Sequence, residues 1–237
     1  MHRFLSHTPL STHLILTEEH QIHQIAHVFR AKKGDKVLFF EPKWEDFIYE
    51  VSDISKWKIT FIQKWKIENI LPKNNNTLAV FQAFPNKIST LETVVQKLVE
   101  IGVDEIIFFS SQYSQLRDIS PAKKNRITMI AQEALEQCGG NSPISISYAM
   151  EESIEKILQR YDYMTHIVWF PGGDNALAIE TNIQYGLWIG PEGWWSTSEK
   201  EIFWKNNTLL WSMNWNILRL ETASIVWAWI LTYLFRI

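Results

Sequence analysis

The feature that most restricts this chain is a change of pattern at Leu71-Pro72-Lys73-Asn74-Asn75-Asn76-Thr77, a run of turn-forming residues between two apolar segments. Before it, apolar residues come in short β-type runs, Val37-Leu38-Phe39-Phe40, Phe47-Ile48-Tyr49 and Ile59-Thr60-Phe61-Ile62. That spacing predicts a small barrel or sandwich, preceded by a helical piece around Glu18 to Phe29. After it, Leu78–Phe81 reads as a buried strand, and Ile88, Leu91, Val94, Val95, Leu98 and Ile101 recur at helical spacing. Further strands are predicted at Ile106–Phe109, Ile144–Tyr148, His166–Phe170, Gly186–Ile189 and Leu209–Ser212. Helices are predicted from about Pro121 to Gln137, after Glu151, at Thr197–Trp204 and from Glu221 onward. This alternation predicts an α/β domain with a mostly parallel sheet covered on both faces, whose ligands bind at the carboxyl ends of the strands. The expected domains are therefore 1–72 and 77–237.

A length of 237 residues suffices for a sizeable core, and a single cysteine, Cys138, excludes a disulfide scaffold or a cysteine-rich zinc module. The start, Met1-His2-Arg3-Phe4-Leu5-Ser6-His7, lacks an apolar secretion core, and the apolar run from Ile225 to Ile237 is shorter than the roughly 20 residues that span a bilayer. A soluble, cytoplasmic chain without a membrane segment is expected.

Charge is unevenly spread. Residues 1–75 carry 11 basic against 9 acidic side chains, and the remainder 12 against 17. Lys56, Lys58, Lys64, Lys66 and Lys73, with Trp57 and Trp65 beside them, have the composition of a nucleic-acid contact surface. A solvated strand edge guarded by lysines has the same composition. His20, His23 and His27 share helical spacing, yet no histidine and carboxylate constellation accompanies them, and no metal is expected.

Three predicted strand ends in the second domain carry residues suited to exposing backbone amides: Phe170-Pro171-Gly172-Gly173, Ile189-Gly190-Pro191-Glu192-Gly193 and the stretch Met213 to Arg219. Ser196 and Glu199 have capping-box spacing for the helix that follows. The chain has no dinucleotide glycine fingerprint, no P-loop lysine motif and no nucleophile elbow.

These segments, in this order, resemble the RsmE family of ribosomal RNA methyltransferases within the SPOUT superfamily. Met1-His2-Arg3-Phe4 and Val28-Phe29-Arg30-Ala31-Lys32-Lys33-Gly34-Asp35 are similar to its N-terminal segments. Gln96–Val103 is similar to its K-x-x-E-L-G-V helix end, and Glu133-Ala134-Leu135-Glu136-Gln137 to its E-A-x-E-Q. Ile189–Gly193 and Ile217-Leu218-Arg219-Leu220-Glu221-Thr222-Ala223 resemble I-G-P-E-G-G and I-L-R-x-E-T-A. The resemblance runs end to end. It implies a PUA-like RNA-binding barrel, a C-terminal domain threaded into a deep trefoil knot, bound S-adenosylmethionine, a homodimer, and methylation of N3 of a uridine in 16S ribosomal RNA.

On that reading Phe170, Pro171, Gly172, Ile189, Gly190, Pro191, Gly193, Met213, Asn214, Ile217 and Leu218 are the candidate cofactor contacts. Arg3, Arg30, Lys32, Lys56, Lys58 and Arg126 are the candidate RNA contacts. Uracil N3 carries a proton in neutral water, so methyl transfer needs that proton removed and the anion stabilised. Arg219 is the candidate for stabilisation, with a buried ion pair to Glu192 or Glu221 as its alternative. Glu192 and Glu221 either accept the proton or cap helices. For Arg126 the alternative is a surface ion pair, and Trp195, Trp204 and Trp211 either stack on a base or belong to the core. Two other functions stay open: an RNA-binding protein of this fold with impaired catalysis, and a related methyltransferase acting on another nucleotide.

Gly140 stands where the family usually has arginine, and Asn216 replaces a common basic residue. Trp194 occupies the second glycine of G-P-E-G-G, Trp44 a glycine of the barrel, and Trp215 lies within one position of the glycine before I-L-R. The chain has 12 Trp and 9 Gly, where average usage of glycine would give about 17. Either some of these tryptophans are UGA codons of a source that reads UGA as glycine, or a tryptophan-rich lineage has rebuilt its pocket.

Overall fold

A computed structural model describes all residues except 1, 7, 42–44, 69–75, 141, 175–176, 213–215 and 236–237. The chain divides into two compact units, Met1–Pro72 with Leu135–Ser142, and Lys73–Ala134 with Pro143–Ile237.

The first unit holds β1 (Arg3–Leu5), β2 (His13–Leu16), α1 (Glu19–His23) continued by a π-helical turn over Gln24–Val28, β3 (Lys36–Glu41), β4 (Glu45–Ile54) and β5 (Ile59–Glu68). They form a five-stranded sheet in the order β1-β3-β4-β5-β2, antiparallel except for β1 on β3. Inward-facing residues alternate along the strands and meet in a core of Phe4, Leu14, Ile22, Val37, Phe39, Tyr49, Val51 and Phe61. Phe39 touches Phe61 and Tyr49 edge-on, at 5.0 and 5.7 Å between ring centres. The Tyr49 hydroxyl, buried among them, donates to the Ser11 carbonyl at 2.6 Å. Burial pushes the Tyr49 pKa up to about 12, and Glu41 adds to the effect.

Residues 135–142 complete this unit. The Arg3 guanidinium donates to Asp46 at 3.1 Å and to the carbonyls of Gly140 at 2.7 Å and Leu135 at 3.3 Å, while the Leu5 N–H donates to Glu136 at 3.0 Å. Arg3 and Asp46 have side chains only 9% and 11% exposed. A buried pair of this kind requires its remaining donors to be satisfied, and the carbonyls do so.

The second unit holds β6 (Thr77–Ala83), α2 (Ile88–Ile101), β7 (Glu105–Phe109), α3 (Pro121–Cys138) apart from its end at Leu135–Cys138, β8 (Ser145–Ala149), α4 (Ile154–Arg160), β9 (Thr165–Asp174), β10 (Gln184–Ile189), α5 (Thr197–Lys205), β11 (Leu209–Trp211) and α6 (Leu220–Leu234). Its six strands pair only in parallel, in the order β11-β9-β10-β6-β7-β8. A parallel sheet needs cover on both faces, hence the almost uninterrupted burial of β6 and β10. Helix α2 turns Leu91, Val94, Val95 and Leu98 inward and ends at Gly102, whose φ of +88° suits glycine. Helix α6 packs on β6, β10 and α2. Among the described residues no helix is long and apolar enough to cross a membrane.

One polar device sits inside this core. The Trp188 indole N–H donates to His166 Nδ1 at 3.0 Å, and His166 Nε2 lies 2.9 Å from the Tyr161 carbonyl. Accepting at Nδ1 and donating at Nε2 makes the ring neutral, and burial lowers its pKa, partly offset by the carbonyl. Gly186 is required beside it, since a Cβ there would come within 2.7 Å of both His166 and Phe81.

The structure corrects one sequence expectation here. Phe170-Pro171-Gly172-Gly173 is not a strand-end loop but continues β9 as far as Asp174, which pairs with Trp211 of β11 after a register shift. A Cβ at Gly173 would lie 2.7 Å from the Leu210 carbonyl oxygen, so small residues serve close strand approach there.

Candidate functional site

Strands β6 and β10 are neighbours at the centre of the sheet, with β7 and β8 to one side and β9 and β11 to the other. The connections diverge between them, so their carboxyl ends form the crevice where sheets of this type take ligands. Beyond those ends lies a cleft of about 400 Å³, within the range of small-molecule sites. It is lined by Asn86, Lys87 and Thr90 after β6, by Gly190, Pro191, Glu192 and Trp194 after β10, by Trp169, and by Ile217 to Glu221 at the start of α6.

The loop after β10 is fixed at several points. Gly190 lies against the Trp195 ring, where a Cβ would be 2.9 Å away. The Trp195 indole N–H donates to the Trp169 carbonyl at 3.2 Å. Glu192 accepts the backbone N–H of Asn86 at 3.0 Å. The Trp194 N–H donates to the Pro191 carbonyl at 3.0 Å, closing a turn that leaves Trp194 at φ +66°, with its ring 5.0 Å from that of Trp169. Beyond the turn, Ser196 and Glu199 form the capping box of α5. The buried Glu199 carboxylate takes three donors: the Ser196 N–H at 2.8 Å, the Ser111 hydroxyl at 2.7 Å and the Gln112 N–H at 2.9 Å. The capping residue thus also anchors the loop after β7.

Arg219 is the N-cap of α6, with extended backbone. Its side chain is exposed and makes no hydrogen bond or ion pair among the described residues, so the expected alternative of a buried pair with Glu192 or Glu221 is not formed. Glu221 lies in the first turn of α6, where a carboxylate complements the helix dipole. Lys87, also exposed, lines the same cleft as N-cap of α2. The cleft therefore carries two cations without an ion pair among the described residues, Lys87 and Arg219, and two carboxylates.

Of the candidates from the sequence, Arg219, Glu192, Glu221, Gly190, Pro191, Ile217 and Leu218 come together in this cleft. Gly193 lies in the same turn but against Tyr113, and Ile189 is the buried end of β10. Phe170 packs on the core, and Pro171 and Gly172 belong to β9. Met213, Asn214, Trp44 and Trp215 lie outside the described residues. Sequence reasoning missed Asn86, Lys87, Thr90 and Trp169. The signal for Lys87 was its place between a buried strand and the first residue of a periodic helix.

The RNA candidates fall into three groups. Arg3 is held inside the first unit by Asp46 and two carbonyls, which makes it a structural residue. Arg126 is paired with Glu92, whose hydrogen bond and charge raise its pKa. Arg30, Lys32, Lys56 and Lys58 are exposed, and Lys56 lies 4.7 Å from the centre of the Trp57 ring. Lys36 likewise covers Trp65 at 4.4 Å.

A parallel α/β unit with this switch-point cleft corresponds to the class described as an RNA methyltransferase domain, whose family model matches residues 72–232. A ribosomal RNA small subunit methyltransferase E 2 of Borreliella burgdorferi is 30% identical over 91% of this chain and 90% of its own length. A ribosomal RNA small subunit methyltransferase E of Rickettsia conorii is 26% identical over 89% and 85%. The crystal structure of a ribosomal RNA small subunit methyltransferase E from Neisseria gonorrhoeae, bound to S-adenosyl methionine, superposes with a TM-score of 0.85 at 20% identity, covering 99% of this chain and 98% of that one. The chain belongs to the ribosomal RNA small subunit methyltransferase E family of RNA methyltransferases.

Proposed function

We propose that this protein methylates N3 of a uridine in 16S ribosomal RNA, using S-adenosylmethionine. The observation that carries the reading is the meeting of the Gly190–Glu192 loop and the Ile217–Glu221 segment in one cleft at the switch point of a parallel sheet. The cleft suits the cofactor in volume, with Gly190, Pro191, Ile217 and Leu218 as contacts on described residues. When bound, the cofactor supplies an electrophilic methyl group on a sulfonium.

The protein's own part is to unstack the uracil, take the N3 proton and stabilise the anion. Arg219 and Lys87 offer donors to O2 and O4 or to a flanking phosphate, and having no ion pair among the described residues keeps that capacity. Glu192 and Glu221 are the acceptors within the cleft for the proton. The same reading makes the first unit a PUA-like RNA-binding module acting through Arg30, Lys32, Lys56 and Lys58. It gives the second unit a trefoil knot, pairs two copies as a homodimer and places the protein in the cytoplasm.

Methylation at N3 blocks the Watson–Crick edge, so reverse transcriptase stops there. The test is primer extension on 16S RNA from a strain lacking the gene and from its complemented parent. A stop present only with the gene supports the reading, and identical profiles overturn it. The Trp194 ring beside the cleft favours a second reading, an RNA-binding protein with its cofactor site obstructed, and calorimetry with S-adenosylmethionine separates the two.

A further inference from the structure

Five tryptophans of the second unit fall into two kinds. Trp188 and Trp195 occupy places built for an indole. Trp188 donates to His166 and stacks on Phe81 at 4.3 Å between ring centres, nearly parallel at 6°. Trp195 donates to the Trp169 carbonyl and fills the space that the missing side chain of Gly190 leaves.

Trp194, Trp211 and Trp227 occupy places that are not. Trp194 has φ +66° in the turn closed on Pro191. That left-handed region is open to glycine and tolerated by asparagine, as at Asn182 and Asn207, but unfavourable for a bulky aromatic. Trp211 and Trp227 are 4% and 2% exposed, and their rings stand 4.5 Å apart. Both indole N–H groups are buried without an acceptor among the described residues. Buried tryptophan N–H groups ordinarily find a partner, and these two adjacent orphans, like the hydroxyls of Ser147 and Tyr148, single their positions out.

These residues adjoin one another. Trp194, Trp169, Trp227 and Trp211 form a file of rings with successive centres 5.0, 6.4 and 4.5 Å apart, and its first two members line the cleft. We infer that positions 194, 211 and 227 are glycines in the native protein, encoded by UGA in a source that reads UGA as glycine, whereas Trp188 and Trp195 are genuine. Glycine inside β11 and α6 sacrifices local propensity and occurs where a ligand or another backbone passes closely. Of the three, Trp194 lines the cleft, so its replacement by glycine enlarges it directly. One cause then accounts for the strained turn, the two orphaned donors and the inverted Trp and Gly counts of 12 and 9.

The inference does not depend on the proposed reaction, and its test separates the two. The codons at 188, 194, 195, 211 and 227 are read, and peptides of the protein purified from its source are sequenced by tandem mass spectrometry. UGA codons and glycine residue masses at 194, 211 and 227, with UGG and tryptophan at 188 and 195, are expected. UGG at 194, or tryptophan in the native peptide there, overturns the inference; tryptophan at 211 or 227 overturns it for that position. Recombinant W194G/W211G/W227G protein, with single W194G in case the triple variant folds poorly, is then titrated with S-adenosylmethionine against the chain as written. At least tenfold tighter binding is expected, with a higher unfolding temperature for W194G, whose positive φ glycine relieves, whereas W188G unfolds earlier. Native glycine with no cofactor binding by either variant defeats the methyltransferase reading and leaves the codon assignment standing.

Discussion

The carboxylate of Glu192 accepts the backbone N–H of Asn86 at 3.0 Å, so the loop that follows β10 is tied to the segment that leads from β6 into α2. Hydrogen bonds to charged groups contribute about 1.5–3 kcal/mol. Glu192→Ala is expected to loosen both walls of the cleft and weaken cofactor binding about tenfold, with Glu192→Gln retaining most of the affinity. Isothermal titration with S-adenosylmethionine measures both, and an unchanged affinity in the alanine variant disproves the tie.

Arg219 is exposed at the mouth of the cleft and bonded to nothing else among the described residues, so removing it leaves no buried charge behind. Arg219→Ala should fold normally and lower kcat by about 10²–10³-fold, the usual loss of one preorganised charge donor, with little change in cofactor affinity. Arg219→Lys keeps the charge but not the planar fork and should recover only part of the rate. Lys87→Ala should behave similarly with a smaller loss. Single-turnover methylation of small-subunit RNA tells these apart from a binding defect.

The sheet and its cleft were legible because their signals are local. The apolar runs of β6, β7 and β10 are short and bounded by turn residues, and Ser196 with Glu199 announces α5. Two strands of the first unit were not legible: β1 has three residues and β2 four, too few to show a period, and both are defined by the partners they find. Lys87 escaped for a related reason. Its importance lies in sharing with Arg219 a cleft assembled from segments more than a hundred positions apart. Arg3 was expected at the RNA through the resemblance of Met1–Phe4, and its pairing with Asp46 and Gly140, 43 and 137 positions away, has no local signal.

His166 makes stability depend on pH with a definite sign. Its folded pKa is lowered by burial, so below about 6.5 the unfolded chain takes up a proton that the folded protein resists. Stability is therefore complete above that value and declines as pH falls toward the folded pKa. Protonation also removes the acceptor of the Trp188 indole, stranding a buried donor at a cost of about 2 kcal/mol. The unfolding temperature should drop by about 5 °C between pH 7.5 and 5.5, and the slope should flatten in His166→Asn. Differential scanning calorimetry across that range checks it.

Arg3 and Lys56 should separate stability from RNA affinity. Arg3→Ala leaves Asp46 buried without its cation and should destabilise the first unit by about 3–5 kcal/mol. Lys56→Ala should leave the unfolding temperature within a degree or so while weakening RNA binding and reducing the salt slope by about one. Filter binding at several salt concentrations, beside thermal denaturation, gives both readings.

Because Gly140, Leu135 and Glu136 supply the acceptors around Arg3 and Leu5, the N-terminal module is not a contiguous stretch of gene. A fragment ending at residue 72 would expose an arginine and an aspartate built for enclosure. Recombination with a single junction could not transplant this module intact, since its last piece is encoded some sixty codons downstream, at the close of α3.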